Sequence, residues 1–149
     1  MGSLRAKAEA IHSAIEAIGD DFHESLASIV NSIAESQLAG GKVLIFGNGG
    51  SAADSQHFAA ELVSSLHGAP LPKPLRALAL TTDTSVLTAI GNDVDFSHVF
   101  ARQVEALCDQ GDVVIALTTS GNSTNVLEGL SMGRQLGAST VAITRKLRL

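Results

Sequence analysis

At 149 residues, 45% of them apolar, the chain has the size of one domain with a substantial core. A net charge of −5, only five Phe, and no Trp or Tyr exclude the basic footprint and stacking platforms of a nucleic-acid binder. No apolar run reaches the roughly 18 residues of a membrane span, and Met1-Gly2-Ser3-Leu4-Arg5 lacks a signal-peptide core.

The periodicity predicts amphipathic helices over residues 4–18 and 21–38. The second repeats Phe22, Leu26, Ile29 and Ile33, with Asp20 or Asp21 as its N-cap and Gly40-Gly41 as its stop. Lys42-Val43-Leu44-Ile45-Phe46 is nearly continuous in apolar residues, as in a parallel strand buried on both faces. A helix over Ser51–Leu66 follows. All three prolines then fall in the extended loop Pro70-Leu71-Pro72-Lys73-Pro74.

A second strand is predicted over Leu75–Leu80, then a helix near Thr84–Ile90 broken by Gly91-Asn92-Asp93, then a helix over Phe96–Leu107. Gly111-Asp112 opens a third strand, Val113–Leu117. The helix Ser123–Leu136 stops at Gly137, and a fourth strand covers Thr140–Thr144. Strands alternating with helices give a flavodoxin-like, doubly wound parallel α/β sheet, strand order 2-1-3-4, preceded by N-terminal helices. We expect one domain over 1–149, with a helical segment to residue 40 and the α/β core from 41.

Two loops carry the functional signal: Gly47-Asn48-Gly49-Gly50-Ser51 after the first strand, and Thr118-Thr119-Ser120-Gly121-Asn122-Ser123 after the third. A strand that turns through Gly and Ser into a helix aims free N–H groups and the positive dipole end at one point, an anion site. In the predicted order these strands are neighbours, so both loops flank the switch point. Taken singly, either loop also fits ordinary turn chemistry. Gly47-x-Gly49-x-x-Ala52 matches a loose dinucleotide fingerprint. However, Leu75–Leu80 runs into Thr81-Thr82 with no acidic residue for a ribose, and the hydroxyl-rich second loop suits a phosphate monoester. The absence of a following Gly-Lys-Ser/Thr excludes a Walker loop.

In the helix after the first loop, His57 and Glu61 are four residues apart and share a face. Glu61, sheltered by Phe58 and Leu62, would act as a base beside a carbonyl. The same spacing also describes a surface His–Glu pair, or two donors for a divalent metal. His12, His23 and His67 read as solvated, His98 as a helix-surface or interface residue, and Cys108 as packed. A lone cysteine cannot form an internal disulfide, which suits a reducing cytoplasm.

Five ordered motifs resemble the sugar isomerase (SIS) domain, and more narrowly its phosphoheptose isomerase members. They are the two loops, Gln56-His57-Phe58-Ala59-Ala60-Glu61-Leu62, Leu87-Thr88-Ala89-Ile90-Gly91-Asn92-Asp93, and Phe100-Ala101-Arg102-Gln103-Val104-Glu105-Ala106. The resemblance implies conversion of sedoheptulose 7-phosphate to D-glycero-D-manno-heptose 7-phosphate, an early step towards the lipopolysaccharide core. It implies that Asn48, Gly49, Gly50 and Ser51 form the first ligand loop, and that Thr118, Thr119, Ser120 and Ser123 hold the phosphate. Asn92 and Asp93 would line the sugar, and Glu61 would move a proton between C1 and C2. His57 and Glu61 would also match two ligands of the zinc that some members carry, and a homotetramer built through the N-terminal helices is implied.

Two departures bear on this. Thr118 stands where the family more often has Ser, with the hydroxyl kept. Members also continue past the fourth strand into a fifth strand and a C-terminal helix, whose Gln and His complete the zinc site and supply the partner acid. The sequence runs to Leu149 without them, so we expect an incomplete zinc site and an exposed fourth-strand edge prone to association. The alternative reading is a non-catalytic SIS module that binds sugar phosphates or a replication initiator protein; the carboxylate of Glu61 argues against it.

Overall fold

The computed structural model describes residues 18–66, 69–70 and 73–144, together with Ala6, Glu9, His12, Ser13, Ile15 and Glu16. Those six are helical, in keeping with the helix expected over 4–18; its remaining residues, and His67, lie outside the described ones. The chain divides into two compact units, Met1–Asn31 and Ser32–Leu149, with the boundary inside the helix α1, Asp20–Leu38. Asp20 and Asp21 are not its caps. Both lie within the first turn, because the Phe22 N–H already bonds the Gly19 carbonyl at 3.1 Å, and there they face the positive dipole end.

Within the second unit the elements are β1 (Val43–Gly47), α2 (Gly50–Val63), a small hairpin of β2 (Ser65–Leu66) and β3 (Ala69–Pro70), and β4 (Ala77–Ala79). Then come α3 (Thr84–Asp93), a 3₁₀ turn at Phe96–His98, α4 (Val99–Leu107), β5 (Val113–Thr118), α5 (Thr124–Gln135) and β6 (Ser139–Thr144). The hairpin is the main departure: the helix expected to Leu66 stops at Val63, and Ser65-Leu66 pair with Ala69-Pro70. The predicted second strand contracts to Ala77–Ala79. Gly91, Asn92 and Asp93 do not break the preceding helix, which runs on through them. A helical Gly costs only about 1 kcal/mol, and Leu87 and Ile90 of the same helix pack on the core. The break comes at Asp95, whose carboxylate accepts the Ser97 N–H at 2.7 Å; hydrogen bonds from the Ser97 side chain and then from its N–H lower the Asp95 pKa.

The main sheet is parallel in the order β4-β1-β5-β6, which is the predicted 2-1-3-4. Gly47 of β1 stands opposite Leu117 of β5, and Thr118 of β5 opposite Thr144 of β6. Alternate residues serve opposite faces: Leu44, Phe46, Val114 and Ala116 join one core cluster, Val43, Ile45, Val113 and Ile115 the other. This two-sided burial is why the strands read as continuous apolar runs. Phe46 stacks on Phe100 of α4 with ring centroids 4.7 Å apart. Gly129 lets α5 settle onto that pair, since a Cβ there would stand 2.7 Å from Phe46 Cζ. β6 forms one sheet edge among the described residues, with Ile143 exposed.

At the opposite end from the loops, Lys42 Nζ bonds Asp109 at 2.7 Å and Asp112 at 2.6 Å. Asp112 is buried and also accepts the Lys42 and Asp109 N–H groups, both at 2.8 Å. This cluster ties the start of β1 to the start of β5. Burial pulls the Lys42 pKa down, but the bonds and charges of Asp109 and Asp112 outweigh it and leave it raised. Asp109 is lowered by the Lys42 ammonium. Cys108 packs in the core, where burial raises its thiol.

Candidate functional site

The parallel pairing of β1 with β5 places the two glycine- and serine-rich loops side by side at the carboxyl edge of the sheet. In the first, Gly49 adopts φ 57°, a left-handed conformation that suits glycine, and leads into α2. The Ser51 and Ala52 N–H groups turn back to the Asn48 and Gly49 carbonyls, each at 3.0 Å. Gly49 and Gly50 are left as the loop N–H groups with no carbonyl acceptor among the described residues.

The second loop is shaped by its own hydroxyls. Thr118, buried at the end of β5, accepts the Gly121 N–H at 3.3 Å, and Ser120 Oγ accepts the Asn122 N–H at 3.2 Å. Thr119 is exposed. Ser123 occupies the N-cap position of α5 yet makes no side-chain capping bond, while its carbonyl accepts from Val126 and Leu127 at 3.0 Å. The Ser123 hydroxyl and the Thr124 and Asn125 N–H groups therefore remain available to an anion.

One residue joining the loops escaped the sequence reading. Asn125, in the first turn of α5 and 5% exposed, exchanges two hydrogen bonds with Asn48, both at 2.9 Å. Each side-chain amide donates one N–H and accepts one through its oxygen. The only sequence signal was an Asn just inside the second loop's helix, matching the Asn inside the first loop.

α2 carries the reacting candidates. Gln56 Nε2 donates to Thr81 Oγ1 at 3.2 Å, and Thr81 Oγ1 donates to the Ala52 carbonyl at 3.3 Å, which fixes α2 against the turn after β4. His57 is exposed, and Glu61 is half-buried one turn further along. Phe58 and Leu62 pack on the Val43 cluster. No ion pair links His57 to Glu61 among the described residues, so the surface-pair alternative does not hold in this geometry. Glu61 lies about 15 Å along the helix axis from Ser51.

Asn92 and Asp93 end α3, exposed, with Asn92 Nδ2 donating to Asp93 Oδ1 at 2.7 Å. Neither bonds a residue of the two loops. No group of three or more His, Cys, Asp or Glu that could hold a metal occurs among the described residues. A catalytic zinc takes three protein ligands, so His57 and Glu61 do not by themselves fit one. A groove of about 850 Å³ lies elsewhere, between α3, α4 and the β4 edge, lined by Leu78, Leu80, Val86, Ile90, Gln103 and Leu107. Thr82, Asp83, Arg102 and Glu105 also line it, with Arg102 paired to Glu105 at 2.9 Å. No described helix is long and apolar enough to cross a membrane.

Residues 8–145 match the SIS domain family. The phosphoheptose isomerase of Aquifex aeolicus is 54% identical over 123 residues, 83% of this chain and 63% of that protein. That of Geobacter sulfurreducens is 49% identical over 142 residues, 94% of this chain and 73% of that protein. The chain thus spans about two thirds of the length of these curated relatives. Among solved structures, phosphoheptose isomerase from Neisseria gonorrhoeae superposes with a TM-score of 0.82 at 42% identity, covering 94% of this chain and 72% of that one. The Francisella tularensis enzyme gives 0.82 at 34%, covering 97% and 76%.

Proposed function

The chain belongs to the SIS domain family, and from that premise we propose that it is an aldose–ketose isomerase acting on a seven-carbon sugar phosphate. The reaction interconverts sedoheptulose 7-phosphate and D-glycero-D-manno-heptose 7-phosphate. The observation that carries this reading is the pairing of two glycine- and serine-rich loops at one switch point, with a carboxylate on the helix that leaves the first of them. The loops take the terminal phosphate through the Gly49 and Gly50 N–H groups, the Ser51, Thr119, Ser120 and Ser123 hydroxyls and the start of α5. Thr118 acts mainly by shaping its loop.

Glu61 takes a proton from C1 of the ketose and returns it at C2 through an enediol, while the matching proton moves from the C1 oxygen to the C2 oxygen. Asn92 and Asp93 would line the sugar.

The chain would work in the cytoplasm as a homo-oligomer, a tetramer. The exposed apolar side chains of Phe22, Leu26 and Val30 in the first unit support that assembly. Incubation with sedoheptulose 7-phosphate, followed by NMR, tests the activity. Appearance of the aldose heptose 7-phosphate is expected. Binding without turnover would favour the non-catalytic adaptor, and absence of binding would remove both readings.

A further inference from the structure

We propose that Asn125 is a positioning residue for the ligand loops, which it holds in register through Asn48 and not by touching substrate. The proposal rests on the reading of the two loops as one phosphate site. Asn125 is buried, and its amide is committed to Asn48 by the reciprocal pair of 2.9 Å bonds. Those bonds join the first loop to the first turn of the helix that follows the second. No other side-chain hydrogen bond among the described residues runs between the two loop regions.

The first loop needs such a tether. Its entry, Gly49, sits in a left-handed conformation with open space around it, and Gly49 and Gly50 have no carbonyl to hold their N–H groups. A backbone this permissive loses much conformational freedom when it orders around an anion, and pre-organisation removes that cost before binding. A side-chain amide suits the task because it donates and accepts in one plane. Asp at 125 would keep the acceptor for Asn48 Nδ2 but lose the donor to Asn48 Oδ1. The assignment also changes the role of Asn48: its amide is engaged within the protein, so the loop's ligand contacts fall to the backbone and the Ser51 hydroxyl.

The test is a double-mutant cycle on the full chain, reading affinity for inorganic phosphate and for sedoheptulose 7-phosphate, with hydrogen exchange at the Gly49 and Gly50 amides. Asn125→Ala is expected to weaken phosphate binding about tenfold, the affinity equivalent of one net hydrogen bond. Adding Asn125→Ala to Asn48→Ala should cost nothing further, because one acts through the other. Loop amide exchange should accelerate in Asn125→Ala, and with the sugar phosphate the loss should fall on KM more than on kcat. Losses that multiply independently, or wild-type affinity in Asn125→Ala, would overturn the proposal.

If Asn125→Ala does not fold, Asn125→Asp provides the same comparison at nearly constant volume. An intermediate loss is then expected, and none would refute the role. If the wild type binds neither ligand, the phosphate-site reading fails by itself, and amide exchange alone decides the tether. Unchanged exchange in the variant would overturn it; faster exchange confined to the first loop would uphold it.

Discussion

Gly47 and Leu117 are register partners on β1 and β5, so close that a Cβ at Gly47 would stand 2.6 Å from the Leu117 carbonyl oxygen and 2.7 Å from Ser51 Cβ. The contact lies where both loops leave the sheet. Gly47→Ala must therefore push the first loop away from the second. We predict a loss of about 2 kcal/mol in stability by urea unfolding, the usual weight of overpacking, together with weaker phosphate binding. An unchanged unfolding midpoint would mean that the loops can move apart without strain.

The cluster of Lys42, Asp109 and Asp112 governs stability at the opposite end of the sheet. Asp112→Asn places an N–H where the carboxylate accepts bonds from Lys42 and Asp109. We predict a loss of about 2 kcal/mol, in the range for hydrogen bonds to charged groups. Urea midpoints at neutral pH would measure it, and a wild-type midpoint would show the cluster to be dispensable.

The same cluster sets a pH dependence. Asp109 is lowered below its ordinary 3.8, so its contribution is present above that value and is lost as pH falls through the depressed one. Lys42 is raised above 10.5, so its contribution is complete below that value and is lost as pH rises through the raised one. The stabilisation from this cluster should therefore be flat across neutral pH and erode only in strong acid and strong alkali. Unfolding midpoints of wild type and Lys42→Met, compared against pH, would show a constant gap near neutrality; a gap that varies between pH 6 and 8 would contradict this.

Much of the fold was legible because the strands are buried on both faces. Val43–Phe46 and Val113–Leu117 read as buried strands of a parallel sheet, and the doubly wound strand order then indicated which strand ends meet. The misreadings came where local rules met tertiary packing. Gly91 looked like a helix stop, but Leu87 and Ile90 anchor that helix to the core through it. The hairpin at Ser65–Pro70 was hidden behind a helical pattern on one side and prolines on the other.

The site was legible in its parts more than in its connections. Glu61, Ser123 and the glycine loop stand out by residue type and spacing. Asn125 and Asp112 do not, because a buried polar residue is defined by its partner, and the partners here, Asn48 and Lys42, lie 77 and 70 residues away.

Phe22 and Leu26 are half-exposed apolar residues on one face of α1. Light scattering should find a homo-oligomer in the wild type and a smaller species in Phe22→Glu/Leu26→Glu, with the circular dichroism of the second unit kept. Equal masses for both proteins would remove this face from the assembly.

The most direct test of the proposed chemistry is solvent-deuterium incorporation at C1 of sedoheptulose 7-phosphate, followed by NMR for wild type and Glu61→Gln. The enediol mechanism predicts incorporation by the wild type and a fall of at least ~10²-fold in Glu61→Gln, the ordinary weight of a positioned base. Equal exchange in the two proteins, or none in a wild type that still binds the sugar phosphate, would contradict it.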